Sequence, residues 1–247
     1  MRMKEDHMRN GQLKAGYNLQ VGTQNQYILN YSLHQRAGDT SCLQEHLEQF
    51  HAQMGEYPEN LITDAGYGSE ENYAYLESNG VEAFVKYQSF HYEQKRNYKQ
   101  KKPYRAENMA YDPELDHYTC PQGKQLTYLY TQAVRSENGY VSQRKIYECE
   151  DCSACPVKTA CTRSQSNRRI HRGEELIRLK QAAQRRLLSP RGVNHRRKRG
   201  IEVEAVFGQL KQNKGFRRFM LRGLDKVSTE WGILSMAHNI TKMASAS

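Results

Sequence analysis

The stretch ITDAGYGSEENY, residues 62–73, decides how the chain is read. Leu61 and Ile62 lead into Asp64, and Ser69 stands three residues before Asn72 at the head of a helix face carried by Tyr73 and Leu76. The pattern predicts a short buried strand that ends on a carboxylate and turns into a capped helix. In an open α/β sheet the carboxyl end of a strand is where functional groups are presented. Asp64 is therefore a site residue or an ordinary turn aspartate, and its partners have to be sought elsewhere in the chain.

Working outward, residues 16–35 read as a hairpin: YNLQVGT and YILNYSLH are rich in Tyr, Val, Ile and Leu, and the polar QNQ between them can turn. Gly38 and Asp39 give a stop and an N-cap, and Leu43, Leu47, Phe50 and Met54 recur at helical spacing, predicting a helix over about 40–54. EAFVKY, residues 82–87, is a further strand. Strands alternating with helices in this order predict an α/β fold with a mixed sheet. Residues 88 to about 172 break the rhythm. They are Tyr- and Lys-rich and weakly apolar, and they read as an insertion with too little core of its own. A basic helix follows from Glu174 toward Leu188, and Ser189-Pro190 breaks it. A second helix carries IEVEAVFGQLKQNKGF, and a last one runs from about 225 to 243 with Trp231, Leu234, Met236 and Ile240 as its core face. The expected division is 1–87, 88–173 and 174–247.

At 247 residues the chain can bury a real core. No stretch is apolar enough to span a bilayer, and MRMKEDHMRN lacks a secretory apolar segment, so a cytoplasmic location is expected. The net charge of +10 is unevenly placed: residues 1–95 hold seven Lys and Arg against thirteen Asp and Glu, and residues 96–247 hold thirty against fourteen. A basic second half suits a polyanion such as nucleic acid, or solvated Lys and Arg on exposed helices. The charged start leads straight into strands, as if cut from something longer.

Glu204 is the candidate partner of Asp64. Val203, Phe207 and Leu210 predict an apolar face with Glu204 at its border, Gly208 leaves room above the carboxylate, and Lys211 follows nearly two turns later. His195, Arg196, Arg197, Lys198 and Arg199 precede the glutamate; Lys214, Arg217, Arg218 and Arg222 follow. Two carboxylates brought together call for a cation between them, which suits a divalent metal beside a phosphate. The competing reading is an exposed helix whose charges meet no ligand.

CEDCSACPVKTAC supplies Cys149, Cys152, Cys155 and Cys161, with Cys120 upstream. Overlapping C-x₂-C units favour structural Zn²⁺, with an iron–sulfur cluster or free thiols as alternatives. Cys42 is expected to be simply buried, and His34 and His46 to be isolated and to pack. The tyrosines between 87 and 111, interleaved with Lys95, Arg96, Lys99, Lys101 and Lys102, can grip DNA or form a solvated loop.

Taken together, TDAGYGSEEN, RRKRGIEVEAVFGQLKQNKGFRRFMLRGLDKV and WGILSMAHNITKM, with GYNLQVGTQNQYILNYSLHQRAGDT and the cysteine stretch, closely resemble the DDE-type transposases of bacterial insertion sequences. The resemblance implies a ribonuclease H-like core that cleaves and transfers double-stranded DNA as a homo-oligomer. It also implies Mg²⁺, or Mn²⁺, held by Asp64 as the second catalytic aspartate and by Glu204 as the catalytic glutamate. Lys211 would contact DNA, and Arg196, Arg197, Lys198, Arg199, Lys214, Arg217 and Arg218 would hold phosphates. The family's first aspartate lies on a strand ahead of the hairpin. No such strand is expected here, and Asp6, the one aspartate ahead of the hairpin, is left unassigned, so weak or absent activity is expected. The rival readings are a non-catalytic DNA-binding remnant and a zinc-stapled interaction module.

Overall fold

The computed structural model describes residues 2–5, 13–36 and 38–246. The elements run β1 (Arg2–Glu5), β2 (Leu13–Gly16), β3 (Asn18–Gln24), β4 (Tyr27–His34), α1 (Leu43–Met54), β5 (Asn60–Thr63), α2 (Glu70–Ser78) and β6 (Glu82–Val85). Then come α3 (Phe90–Glu93), α4 (Tyr98–Lys101), β7 (Ala110–Asp112), β8 (His117–Thr119), β9 (Gln125–Arg135), β10 (Val141–Cys149), α5 (Lys158–Cys161) and β11 (Arg169–Arg172). The last part holds α6 (Glu174–Leu188), α7 (Pro190–Arg199), a π-turn at Gly200–Glu204, α8 (Ala205–Gly208), a π-turn at Gln209–Asn213 and α9 (Leu224–Ala246). Residues 1–87 with 182–247 form one compact unit, and residues 88–181 form another.

The first unit is α/β, but its strands do not join into one mixed sheet. Antiparallel β1–β2, antiparallel β3–β4 and parallel β5–β6 are separate pairs among the described residues. The start is not free of strands, since β1 pairs with β2 ahead of the hairpin. Asp6 lies outside the described residues. The β3–β4 turn places Asn25 and Gln26 at φ +50° and +64°, the hand that matches the twist of a two-residue hairpin. Gln26 has no glycine-like freedom there, so contacts must hold it. Its N–H donates to Glu202 at 2.7 Å, its carbonyl pairs with the His238 ring at 2.9 Å, and its side-chain oxygen accepts from Lys242 at 3.3 Å.

The α9 helix lies along β4. Asn239 both donates to and accepts from the Ile28 backbone at 2.9 Å, satisfying strand groups as a neighbouring strand would. The core here is Ile28, Val206, Leu210 and Trp231. Of the expected apolar face, Leu210 is buried and Phe207 packs half-buried against this core, while Val203 is only half-buried and Val206 enters the core, where π-turns interrupt the 3.6-residue register. On α9, Trp231 is buried as expected, whereas Met236 and Ile240 are exposed.

The second unit has the core that the sequence reading denied it. An antiparallel sheet, ordered β11-β10-β9-β8-β7, encloses Met109, Tyr118, Leu126, Tyr147, Cys149, Cys152 and Ile170. Its tyrosines bury rings while their hydroxyls reach a shared acceptor: Asp116 accepts from Tyr111 at 2.6 Å and Tyr147 at 2.5 Å, and pairs with Lys145 at 3.3 Å. The Tyr111 and then the Tyr147 hydrogen bonds hold the Asp116 carboxyl down to about 2.

His34 and His46 are not isolated. The Ser32 hydroxyl lies between them, 2.7 Å from His34 Nε2 and 2.8 Å from His46 Nδ1, and all three side chains are buried. Burial, and then the neighbouring His34, push His46 down to about 4. The unfolded chain takes up a proton at that residue near the ordinary value of about 6.5. The stability of the neutral, buried form is therefore complete above about pH 6.5 and is lost as pH falls toward about 4. Urea unfolding across that window is expected to lose up to about 3 kcal/mol on acidification, and His46→Gln to flatten the dependence.

Candidate active site

Asp64 ends β5 and begins a short 3₁₀ turn at Ala65–Tyr67. Its Oδ1 accepts from the Gly66 N–H at 2.9 Å, so it is a turn aspartate in the ordinary sense. Its Oδ2 does something more, facing the guanidinium of Arg199 at 3.2 Å.

The placement of Arg199 follows from one face of α7. Arg191, His195 and Arg199 recur every four residues and so share a side of the helix. Arg191 reaches Asn60 at 2.8 Å and Glu82 at 2.6 Å, where β5 and β6 begin. The His195 ring packs against Phe84, with centroids 4.6 Å apart, and Arg199 meets Asp64 at the far end of β5. Eight helical residues advance about 12 Å and four strand residues about 13 Å, so helix and strand stay in step.

Glu204 reaches the same guanidinium from the opposite side, 3.7 Å from Arg199 Nη1. Arg199 and Glu204 are five residues apart, a spacing that an α-helix does not stack but the π-turn at Gly200–Glu204 does. Asp64 and Glu204, 140 positions apart in sequence, are therefore joined through one arginine.

A third carboxylate stands nearby that the sequence reading treated only as a helix cap. Asp39 makes no side-chain capping bond. It accepts instead from Asn18 at 2.7 Å and from Gln20 at 3.4 Å, two buried amides two residues apart on one face of β3. Gln20 also accepts from Tyr67. A Cβ on Gly66 would lie 3.1 Å from Asp64 Oδ1 and 3.4 Å from Asp39 Oδ2, so the two acids flank that glycine. Their turns are tied together: Thr40 donates to the Gly66 carbonyl at 2.6 Å, and buried Asn72 donates to Thr40 and Tyr67 carbonyls at 2.9 and 2.8 Å. The one signal in the sequence was polar Asn18 and Gln20 at alternate strand positions, where an apolar inner face would be ordinary.

Lys86 completes the surroundings from the end of β6. Burial lowers its affinity for a proton, and Arg199 and Arg196 lower it further, against the opposing pull of Asp64 and Glu204. Tyr67 is pushed well above the usual phenol range, by burial first and then by Asp39 and Asp64.

The other basic residues scatter. Arg197, Lys198, Arg217 and Arg218 are exposed. Lys214 donates to Thr241 at 3.2 Å, and Arg196 is half-buried. The Lys211 ammonium lies 4.8 Å over the Phe207 ring, four residues back. Beside Gly208 there is open space, as expected.

In the second unit, Cys120, Cys149, Cys152, Cys155 and Cys161 line one small pocket. The zinc and iron–sulfur expectations gain no support there. Among the described residues no three His, Cys, Asp or Glu side chains are placed to hold a metal ion. The cysteines carry free thiols, and Cys149 and Cys152 belong to the apolar core. Burial first, and then Cys152, push the Cys149 thiol up to about 12.

A family profile described as the transposase DDE domain matches residues 119–244, half of the chain. The chain belongs to this family. The match includes Arg199 and Glu204, while Asp39 and Asp64 precede it. No curated protein and no solved structure matches. Membership makes transposition the process and DNA the partner, and transposase DDE domains generally use a divalent metal such as Mg²⁺. No described helix is long and apolar enough to cross a membrane.

The loop after Asp64 has a tight steric requirement. A Cβ on Gly68 would stand 2.3 Å from the Lys86 carbonyl oxygen and 2.8 Å from Tyr87 Cα, both backbone atoms. Gly68→Ala is expected to push the Asp64 loop away from the end of β6 and to cost about 1–3 kcal/mol, read as a lowered urea midpoint.

Proposed function

We propose that this chain is the DNA-cleaving and strand-transferring part of a transposase of an insertion sequence, with Asp64 and Glu204 as its catalytic acids. One observation carries the reading: a strand-end aspartate and a distant helical glutamate converge on a single cation. Asp39, beside Asp64 across Gly66, is proposed as the third carboxylate. A ribonuclease H-like core belongs to the same proposal. It is supported by an antiparallel hairpin and a parallel β5–α2–β6 crossover with the acid at the end of β5. The second unit is read as an insertion between β6 and the helix of Glu204.

Carboxylate oxygens are the donors that Mg²⁺ and Mn²⁺ prefer, so the donor chemistry of Asp39, Asp64 and Glu204 fits such an ion, although the three are not drawn together as a ligand group in this structure. When bound, the metal supplies an activated water or 3′-hydroxyl and charge neutralisation at the phosphate. The chain's own part is to set the acids by β5, the Asp39 turn and the π-turn, and to offer cations to the DNA backbone. Arg197, Lys198, Arg217 and Arg218 are exposed and placed to pair with phosphates.

Nicking of supercoiled plasmid with Mn²⁺ tests the assignment. Losing a partner of a metal ligand costs about 10- to 100-fold, so Asp64→Asn and Glu204→Gln are each expected to cost about 100-fold or more. Duplex binding should survive both changes. Nicking that persists in both variants would overturn the assignment; binding without nicking in the unaltered chain would make it a DNA-binding remnant. Separately, Arg197→Ala with Lys198→Ala is expected to reduce the slope of log affinity against log salt by about 2, measured by fluorescence anisotropy.

A further inference from the structure

We propose that Arg199 is a resident cation of the acid pair, which keeps the pair closed to a divalent metal until a DNA phosphate draws the guanidinium away. The proposal rests on the reading of Asp64 and Glu204 as metal-holding acids. Its basis is the division of one guanidinium between them: Nη2 faces Asp64 Oδ2 at 3.2 Å and Nη1 faces Glu204 Oε1 at 3.7 Å. A metal shared by these carboxylates needs the same oxygens, so arginine and metal compete for one set of donors. Two unneutralised carboxylates at this separation would repel each other, and the arginine supplies the charge that lets them stay close before any ion arrives.

The arrangement is built into the backbone. In a continuous α-helix, Arg199 and Glu204 would point in different directions. The π-turn between them turns the arginine back over the glutamate. Meanwhile the face of Arg191 and His195 fixes the end of α7 against β5 and β6. The Arg199 side chain is itself largely covered, 21% exposed, and it meets both acids from that position. The Asp64 and Glu204 side chains are 48% and 72% exposed, so solvent screens both contacts. Such pairs hold by about fivefold each at most. They form a latch that a stronger partner opens.

A phosphate diester is such a partner. Guanidinium pairs with two phosphate oxygens in a planar fork, an arrangement the two separate carboxylates do not offer. Lys86 and Arg196 lie in the same electrostatic neighbourhood, so an incoming divalent ion meets positive charge on arrival and a phosphate meets attraction. DNA and metal should therefore bind with positive coupling, transmitted by one side chain.

Free Mn²⁺, followed by electron paramagnetic resonance during titration of the whole chain, reads the coupling without any turnover. Without DNA, Arg199→Gln is expected to bind Mn²⁺ about fivefold more tightly than the unaltered chain, with Arg199→Lys in between, since lysine keeps the charge but cannot span both acids. A duplex oligonucleotide, its own Mn²⁺ uptake measured separately, should tighten binding to the unaltered chain and leave Arg199→Gln unchanged. Equal or weaker Mn²⁺ binding by Arg199→Gln would overturn the proposal, since an arginine that merely supports the loop gives that result. If circular dichroism shows that Arg199→Gln does not fold, Arg199→Lys decides by the same criterion. An Asp64→Asn/Glu204→Gln double variant separates the two levels. If it leaves Mn²⁺ binding intact, the metal assignment itself falls and the latch with it. If it abolishes binding while Arg199→Gln binds no more tightly, only the latch falls.

Discussion

The docking of α7 along the β5–β6 pair is the constraint on which the site depends. Neither strand is long, and Ala83, Phe84 and Val85 bury β6, whereas β5 is only half-buried, so burial alone does little to fix β5 against α7. What fixes it is a ladder of three side chains at a spacing of four, meeting strand residues at their start, middle and end. Because the helix rises about 12 Å while the strand rises about 13 Å over the same contacts, no kink is needed until Arg199 is reached. The register then changes in the very next residues, and that change swings Glu204 toward Asp64. A straight α-helix would keep the docking and lose the convergence.

The uneven charge of the chain acquires a local meaning from this geometry. The acidic first part supplies Asp39 and Asp64, and the basic last part supplies Arg199 together with the exposed Arg197, Lys198, Arg217 and Arg218. A positive net charge would ordinarily disfavour a site for a divalent cation. The carboxylates are grouped at a strand end and a π-turn with Arg199 between them, which keeps their negative charge local. The surrounding positive surface remains available to a polyanion.

Local signals were legible in the sequence. Ser69 caps α2 by accepting from the Asn72 N–H at 3.1 Å, Ser189-Pro190 separates α6 from α7, and the hairpin turns at Asn25-Gln26, each through chemistry contained within a few residues. Asp64 at the end of its strand was legible for the same reason. What failed depended on distance or on broken periodicity. Asp39 before a helix looks like a cap whether or not its carboxylate is used elsewhere, and its true partners, Asn18 and Gln20, sit on another strand. On the Glu204 helix Phe207 and Leu210 are legible as core-facing, whereas Val206 is not, because two π-turns interrupt the 3.6-residue register. The core of the second unit is hard to read from sequence because tyrosine and cysteine supply much of it beside Met109, Leu126 and Ile170. Asp116 accepts two phenol hydroxyls, which lets those rings be buried.

An enzyme that acts on a small molecule can close around it and exclude water, but a site for a DNA strand must be open at the surface, because the substrate is a rod that cannot enter a cavity. The half-exposed Asp64 and exposed Glu204 meet that requirement, and the openness has an electrostatic cost. Water reaches Asp64 and Glu204 and screens their contacts with Arg199. Asp39 is the exception, since its amide partners are buried and its turn is tied by Asn72 to the loop of Asp64. The acids are thus anchored by different means, one through a buried polar network and two through one shared guanidinium. Rigidity lies in the backbone turns and adaptability in a single side chain. In a shallow site this division keeps the acids in register while the charge between them remains exchangeable.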